Sequence, residues 1–331
     1  MSNVRPLLTI AIPTYNRARL LERLLAALLN QMSSDETRVD LLVSDNASTD
    51  GTGEVIRTYQ DRGLAIRYIC NKTNLGADRN IMQCYTEAYG QYVWIFSDDD
   101  LILPGSLQRI LSALALQQYD IICIRAYPIE DESVQYKRLR NVSDLEMTKA
   151  EDFARHVHVY LTFISGIIVN KERIDSVKHK PFDSLVGTNL SHLGLFFTAL
   201  NNHRRSLFIR DPLIAARGNS SVGYGLYQVF GTNLASITNE WLESKAVRLA
   251  IINGVIRKFF PFWIIPTRET QASSIPENPH LVLRSCFGYN IRYWVFNYPI
   301  YALPLPLARI WLLIVRVMNK FDAVLGGAFE W

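Results

Sequence analysis

The chain is predicted to be an α/β protein in which a Rossmann-like, mostly parallel sheet is flanked by helices. Two observations predict this: four short apolar runs alternate with segments of helical apolar spacing, and each run ends in polar residues. A third is that residues 241–331 are aromatic, basic and interrupted by prolines, which predicts a helical extension. The 331 residues, 49% of them hydrophobic, suffice for one large domain plus this extension.

The elements of the first half can be placed in order. Apolar runs at residues 7–12, 39–44, 65–70 and 92–96 predict four strands. Leucines at positions 20, 21, 24, 25 and 28 predict the first helix, and the polar turn at 45–52 contains helix-capping residues that introduce the second. A third helix follows the turn at 71–76. Because ligands of such sheets bind outside the carboxyl ends of the strands, the polar clusters should meet at one edge.

The fourth strand ends in three consecutive carboxylates, Asp98, Asp99 and Asp100, and Pro104 then opens the next helix. Like charges this close repel, so stability alone does not account for them. Carboxylate oxygens suit Mg²⁺ or Mn²⁺, which usually keep other positions for water and substrate phosphates. The run therefore predicts a metal–diphosphate site. The alternative is an acidic turn in which Asp99 or Asp100 caps the following helix.

The other polar clusters also have structural interpretations. Asp45 can cap the turn after its strand. Arg79 can be a solvated helix residue, and Tyr15 can be an aromatic residue on a rim. Residues 74–76 can be only a turn with glycine at positive φ. Their joint position at one sheet edge favours a ligand site.

Four motifs resemble those of family 2 glycosyltransferases with the GT-A fold, most closely bacterial abequosyltransferase-like enzymes of lipopolysaccharide O-antigen assembly. They are Ile-Pro-Thr-Tyr-Asn-Arg at 12–17, Ser-Asp-Asn-Ala-Ser-Thr-Asp-Gly-Thr at 44–52, Asn-Leu-Gly-x-x-Arg-Asn at 74–80 and the acidic triplet. The resemblance covers roughly residues 6–125. It implies a nucleotide-sugar donor and a divalent metal, Mg²⁺ or Mn²⁺.

The resemblance also implies roles for individual residues. It implies a nucleotide-sugar site formed by Pro13, Thr14, Tyr15, Arg17, Asp45, Asn74, Gly76 and Arg79. It implies that Asp99 holds the metal, with Asp100 beside it. The sequence departs from the family at Ser97, where the family has the first acid of its Asp-x-Asp pattern. Asp98 is a possible substitute in contacting the donor.

Residues 126–240 should supply the acceptor side. A strand is predicted over 162–169, interrupted by Gly166. Where the family usually has Glu-Asp, with the Asp as general base, this chain reads Thr188-Asn189. His192 and Asp183 are the candidate bases, since histidine titrates near neutral pH. A lone helical histidine is more often structural, and a retaining reaction without a protein base stays open. Arg217 is expected to meet the donor diphosphate, or to be an exposed loop arginine.

The predicted domains are residues 1–240, a GT-A domain with a nucleotide-sugar half (1–125) and an acceptor half (126–240), and residues 241–331. The last region holds ten Lys/Arg against five Asp/Glu, whereas the first 240 residues hold 25 and 26. It also contains five of the six tryptophans. Because Pro299, Pro304 and Pro306 interrupt its apolar run, it is predicted to lie on a membrane surface. The alternatives are a helical subdomain that buries these aromatics, or a spanning or re-entrant segment around 293–315.

The expected location is therefore peripheral, on the cytoplasmic face of the bacterial inner membrane. The first strand follows Met1–Pro6 directly, so no signal peptide is expected. The four cysteines lack Cys-x-x-Cys spacing, so neither disulfides nor structural zinc are expected. The tail aromatics lie among Leu, Ile and Val rather than Lys and Arg, so nucleic acid is not an expected partner.

The predicted function is transfer of a sugar from a CDP-, dTDP-, UDP- or GDP-linked donor to a polyprenyl-diphosphate-linked oligosaccharide, in O-antigen or other surface polysaccharide synthesis. Two alternatives remain. A nucleotidyltransferase of the same fold class would need a Gly-rich, basic loop after the first strand, where this chain has Pro13–Arg17. A membrane-bound scaffold would bind a nucleotide sugar without turnover.

Overall fold

The computed structural model describes residues 5–32, 38–129, 143–217, 224–270 and 277–326. The chain divides into two compact units. The first comprises Met1–Lys149 and Leu161–Ser220, and the second comprises Ala150–Tyr160 and Ser221–Trp331. This division falls near residue 220, whereas the predicted domain boundary is residue 240. Trp331, one of the five tail tryptophans, lies outside the described residues.

The first four strands alternate with helices in the first unit, which contains the nine strands of the described chain, and the described residues of the second unit form helices. Strands β1 to β9 span Leu8–Thr14, Val39–Asp45, Ile66–Cys70, Tyr92–Ile95, Leu101–Ile102, Ile121–Ile129, Leu145–Met147, Ile167–Asn170 and Ser206–Arg217. Helices α1 to α13 span Ala18–Met32, Thr52–Asp61, Ala77–Thr86, Ser106–Leu116, Ala150–Val157, Lys171–Asp175, Leu193–Asn201, Leu234–Trp241, Lys245–Lys258, Phe260–Thr270, Pro279–Phe287, Tyr298–Ala302 and Leu305–Gly326.

One sheet organises the first unit, with the strand order β3-β2-β1-β4-β8-β6-β9-β5 and β7 paired to β9. The first four strands are parallel, as predicted. Beyond β4 the sheet is mixed: β8 is antiparallel to both β4 and β6, while β6 and β9 are parallel. The carboxyl ends of β1 to β4 therefore meet at one edge.

Burial of apolar side chains on both faces of the sheet holds these strands, and so their carboxyl ends, in place. Strand β1 is almost entirely buried, and α1 packs Leu21, Leu24, Leu25 and Leu28 into the same core. Each fully buried leucine contributes roughly 1.5–3 kcal/mol relative to exposure. The predicted strands and the spacing of the first helix are confirmed.

The predicted strand over 162–169 is wrong in its first half. Residues Ile164–Gly166 form a 3₁₀ turn, and the strand covers only Ile167–Asn170. The N–H of Gly166 donates to the carbonyl of Phe163 at 3.0 Å. A Cβ at Gly166 would lie 2.7 Å from the Phe163 ring, so this tight turn needs glycine. The turn brings Ser165 against the end of β4, where its hydroxyl accepts the Ser97 N–H at 2.9 Å.

The second unit builds its own apolar core, so the predicted helical extension is confirmed. Phe260, Phe287 and Tyr293 are at most 1% exposed. Trp263 and Trp294 are instead 39% and 37% exposed. The aromatic residues of this region are thus divided between a core and a surface.

Helix α13 has two apolar faces. Ala308, Leu312 and Val315 are buried. A second set, spaced three or four residues apart, is exposed: Leu307, Ile310, Leu313, Ile314, Val317, Met318 and Phe321. The basic residues Arg309, Arg316 and Lys320 follow one another at helical spacing, so they form one flank of the exposed face.

One helical run among the described residues, Lys245–Glu269, is long and apolar enough to cross a membrane by length and composition. Within its most apolar window 44% of the residues are buried inside the protein. Ile251, Val255 and Phe260 lie in the core of the unit, as they would in an ordinary core helix. Length and composition are therefore weak support for a membrane span here. The segment 293–315 is divided among a π-helical turn, α12 and the start of α13.

Candidate functional site

The acidic triplet after β4 lies beside the loop that follows β1. The Thr14 hydroxyl donates to Asp98 at 2.7 Å, and the Arg17 guanidinium donates to the same carboxylate at 2.9 Å. Arg17 also reaches Asp99 at 3.3 Å. The ends of β1 and β4 are therefore adjacent, as predicted. The Arg17 guanidinium supplies a positive charge beside the carboxylates.

Ser97, the departure from the family pattern, orients the second acid of the triplet. Its hydroxyl donates to Asp99 at 2.6 Å. Asp100 points to other partners: it accepts the backbone N–H of Arg217 at 3.0 Å and hydrogen-bonds Ser165. Arg217 is therefore linked to the triplet through its backbone.

Burial makes the triplet electrostatically costly. Burial raises the pKa of Asp98 to about 6, although Arg17 and Thr14 oppose the rise. Burial, assisted by the charge of Asp99, raises the pKa of Asp100 to about 7. A divalent cation beside Asp99 would relieve this cost further than Arg17 already does.

The carboxylate oxygens of the triplet are suitable ligands for a hard divalent cation such as Mg²⁺ or Mn²⁺. Asp99 is the carboxylate with an accessible face, since its side chain is 11% exposed against 3% for Asp98. Among the described residues, no group of three His, Cys, Asp or Glu side chains is arranged to hold a metal. Magnesium is usually held by one or two carboxylates together with substrate phosphates, so two ligands are enough. Asp99 would hold the ion, and a second ligand from Asp98, whose two oxygens already accept from Thr14 and Arg17, stays a prediction. The predicted role of Asp100 as a ligand stays a prediction.

Asn46 is the centre of the loops at this edge, and sequence reasoning missed it. Its Nδ2 donates to the Asn74 side chain at 2.8 Å and to the Gly76 carbonyl at 3.3 Å. Its Oδ1 accepts the Leu75 N–H at 2.8 Å. The only sequence signal was its place directly after Asp45 in the second motif. Asn46 thus fixes residues 74–76, the donor loop, beside the end of β2.

Asp45 is buried and held by its own turn and by β3. It accepts the Ser48 N–H at 2.8 Å and the Tyr68 hydroxyl at 2.7 Å. The first contact is the turn-capping one that the structural interpretation expected. Binding of the nucleotide sugar by Asp45 stays a prediction.

A cleft of about 350 Å³ opens between these loops. Seven of the ten residues predicted to bind the nucleotide sugar line it: Pro13, Thr14, Tyr15, Arg17, Asn74, Gly76 and Asp98. Asn46, Asn80 and Ser97 also line it and were not predicted. Asp45, Arg79 and Arg217 are not among its lining residues. Arg79 is exposed on α3.

The segment that replaces the family Glu-Asp is tied to α3. The buried Asp78 carboxylate accepts the backbone N–H groups of Gly187, Asn189 and Ser191 at 2.8, 3.0 and 3.3 Å. Asn189 has a φ of 59° and Gly187 a φ of 91°, so the loop is a compact left-handed turn. The N–H groups of this loop are therefore capped by a carboxylate in the first turn of α3 and not by a neighbouring residue of the loop.

The two candidate bases differ in exposure. His192 precedes α7 and is buried, and because a carbonyl only accepts, its Nε2 donates to the Thr162 carbonyl at 3.2 Å. Burial lowers its pKa to about 4, against the attraction of Asp78. Asp183 is exposed in a 3₁₀ turn. Neither is among the described residues that line the cleft, and the identity of the base stays a prediction.

Comparison with known proteins identifies the family. The profile of Glycosyl transferase family 2 matches residues 9–173. The abequosyltransferase RfbV of Salmonella typhimurium is 31% identical over 229 residues, which cover 65% of this chain and 67% of that protein. The chain belongs to glycosyl transferase family 2. The resemblance drawn from its motifs is confirmed.

A second relative of this family 2 glycosyltransferase matches a shorter region. It is the GalNAc(5)-diNAcBac-PP-undecaprenol beta-1,3-glucosyltransferase of Campylobacter jejuni, 32% identical over 107 residues. The match covers 32% of this chain and 34% of that protein.

Solved structures of low sequence identity share the fold. Staphylococcus aureus TarS 1–349 in complex with UDP-GlcNAc has a TM-score of 0.57 at 16% identity, covering 98% of this chain and 93% of that one. The mannosyltransferase PcManGT of Pyrobaculum calidifontis, in complex with GDP-Man and Mn²⁺, has a TM-score of 0.53 at 18% identity, covering 97% and 88%. The predicted GT-A fold is confirmed by this likeness.

Proposed function

We propose that this glycosyltransferase moves a sugar from a nucleotide-diphosphate donor to a hydroxyl of a polyprenyl-diphosphate-linked saccharide in surface polysaccharide synthesis. The observation that carries the donor half is the cleft at the carboxyl ends of β1, β2 and β4, which seven of the predicted donor residues line. Support for the acceptor half comes from the name of the Campylobacter relative, which contains a PP-undecaprenol-linked saccharide. The Salmonella relative is an abequosyltransferase, and the motif resemblance to such enzymes of O-antigen assembly supports a role in O-antigen synthesis.

The residues of the cleft divide the work of donor binding. Tyr15 lines the cleft, is 44% exposed and would stack its ring on the nucleotide base. Asn46 holds the loop at Asn74 and Gly76 in place. Arg17 presents a half-exposed guanidinium to the donor diphosphate while it keeps Asp98 oriented.

Charge stabilisation and positioning account for most of the proposed catalysis. A divalent cation held by Asp99 and Asp98 would neutralise charge on the leaving diphosphate. Arg17 adds a second positive charge on the same side. The acceptor hydroxyl loses its proton to a protein base, for which His192 and Asp183 are the candidates, or to the donor phosphate in a retaining reaction.

We further propose that the second unit attaches the enzyme to the cytoplasmic face of the bacterial inner membrane. The exposed face of α13 is apolar and is flanked by Arg309, Arg316 and Lys320. Helices with an apolar face and a basic flank lie in the headgroup region of anionic membranes. Exposed Trp263 and Trp294 in the same unit support this placement.

Release of free nucleotide diphosphate from CDP-, dTDP-, UDP- and GDP-sugars, with Mg²⁺ or Mn²⁺, tests the proposal. One donor should give acceptor-dependent release. Arg17→Gln should lose it, whereas Arg19→Gln, two residues away and exposed, should not. Release of pyrophosphate from a nucleoside triphosphate would instead identify a nucleotidyltransferase. Donor binding without any release would identify a scaffold.

A further inference from the structure

The second unit contains a basic cavity of about 430 Å³ between α5 and α9. Four cationic side chains line it: Arg155, Arg257, Lys258 and Arg292. Among the described lining residues Glu151 is the one carboxylate, and it pairs with Arg155. The cavity therefore carries an excess of positive charge and is suited to an anion.

His158 gives the cavity wall a buried hydrogen-bond donor. The Val159 N–H donates to His158 Nδ1 at 2.9 Å, so in the neutral ring Nε2 carries the proton. That Nε2 is buried and has no hydrogen-bond partner among the described residues. Burial, together with the charge of Lys258, lowers the pKa of His158 well below its ordinary value. The ring is thus a neutral donor that lacks an acceptor, and such groups are costly unless a ligand satisfies them.

The backbone is strained to hold this ring in place. His158 has a φ of 35°, in the left-handed region that non-glycine residues rarely adopt. Its side chain packs directly against Gly254 of α9, where an added Cβ would lie 2.3 Å from the His158 Cβ. Strain of this kind persists where the surrounding structure enforces it, and it clusters at ligand sites.

We propose that the cavity between α5 and α9 binds a phosphate or diphosphate group. Guanidinium groups and a neutral N–H donor suit a compact anion with several oxygens. The donor diphosphate is already assigned to the cleft of the first unit. The proposal rests on the proposed function for the source of the second anion, which is the diphosphate of the lipid-linked acceptor. The exposed apolar face of α13 belongs to the same unit and suits a lipid substrate.

Calorimetric titration of the full chain with inorganic pyrophosphate tests the site. Saturating nucleoside diphosphate keeps the cleft of the first unit filled. The wild type should bind pyrophosphate. Arg292→Gln and Arg155→Gln should each raise the Kd about tenfold, because each removes one charged hydrogen bond. Arg284→Gln removes the same charge from the second unit outside the cavity lining and should leave the Kd unchanged. Equal affinity of all four proteins, or no binding, would overturn the proposal.

His158→Phe provides a second readout, because it keeps the ring volume and removes the Nε2–H. The folded variant, checked by circular dichroism, should bind pyrophosphate more weakly than wild type. If the variant fails to fold, the arginine variants decide the matter alone. An unchanged Kd in the folded variant would remove the histidine from the site.

Competition experiments identify the source of the anion. Farnesyl diphosphate should displace pyrophosphate, and Arg292→Gln should raise the KM for the lipid-linked acceptor about tenfold more than the KM for the donor. If phosphatidylglycerol vesicles or inorganic phosphate displace pyrophosphate as well as the prenyl diphosphate does, the acceptor assignment is wrong. The two proposals fail separately: lost donor turnover in wild type with intact pyrophosphate binding contradicts only the proposed function.

Discussion

At the scale of single residues, Asp99 is the carboxylate proposed to hold the metal. It is the most accessible member of the triplet, and Ser97 and Arg17 orient it. Asp99→Asn removes one ligand charge and should lower the transfer rate by at least about 10², the scale of losing one preorganised electrostatic group. Rates measured against Mg²⁺ and Mn²⁺ concentration check this. Asp61→Asn, at the exposed end of α2, should behave as wild type. A wild-type rate for Asp99→Asn would contradict the metal assignment.

Asn46 is a residue whose importance lies in its contacts with other loops. Asn46→Ala leaves the Leu75 N–H and the Asn74 side chain without these partners. Binding of the nucleoside diphosphate should weaken by about 1–3 kcal/mol, because the donor loop loses its hydrogen bonds to the buried Asn46 side chain. Asn46→Asp keeps the acceptor and should lose less. Titration of both variants checks the order, and equal losses would mean that the donated hydrogen bonds decide.

At the scale of elements, Asp78 joins α3 to the loop at 187–191. Asp78→Ala would leave three backbone N–H groups without their acceptor. The free energy of unfolding should therefore fall by about 1–3 kcal/mol or more. Denaturant unfolding measures this. Asp183→Ala, an exposed carboxylate near the same loop, should cost little stability. If the two variants unfold alike, the loop is held by other contacts.

Helix α13 is the element expected to contact lipid. Leu313 and Val317 are 56% and 51% exposed on its outer apolar face. Replacing both with Glu should abolish flotation with phosphatidylglycerol vesicles, since burial of this face contributes roughly 25 cal/mol per Å². These positions are sharper probes than Trp311, which is half-buried and donates its Nε1–H to the Val295 carbonyl at 3.0 Å.

The matched control for α13 is Leu116→Glu, since Leu116 is 83% exposed at the end of α4 in the first unit. It should float as wild type does. High salt should release the wild type only partly, because it screens the basic flank, in which Arg309 is already paired with Glu269, and leaves the burial of the apolar face intact. Flotation that survives both glutamates would assign membrane contact to another surface.

At the scale of the whole molecule, buried histidines make stability depend on pH. Burial lowers the pKa of His192 to about 4 in the folded state, below its unfolded value of about 6.5. The unfolded state therefore binds this proton first, and stability falls as the pH drops from about 6.5 towards 4. The slope is at most about 1.4 kcal/mol per pH unit for one histidine.

The variant His192→Gln isolates this contribution. Asp98 and Asp100, whose raised pKa values favour the folded state at lower pH, act in the opposite direction and cancel in the comparison with wild type. Between pH 7.5 and pH 5, the free energy of unfolding should fall less for the variant than for the wild type. His179→Gln changes an exposed ring and should show no such gain. Parallel pH profiles for His192→Gln and wild type would contradict the neutral buried ring.

The sequence by itself determined the nucleotide half of the fold. Its four strands are apolar runs of ordinary length, and its first helix repeats leucines at helical spacing, so local pattern is enough. The acidic triplet and the polar turns follow strand ends directly, which places them at one edge once the strands are parallel. Seven predicted donor residues line one cleft for this reason.

Only the tertiary structure decided which distant residues complete each site. Asp78 binds a loop more than a hundred positions later, Ser165 reaches Ser97, and His158 packs on Gly254. It also decided which face of α13 stays exposed. Sequence patterns report periodicity within one element, whereas these contacts depend on how separate elements pack. A buried partner far along the chain leaves no local signature, so burial and hydrogen bonding in the folded chain had to identify it.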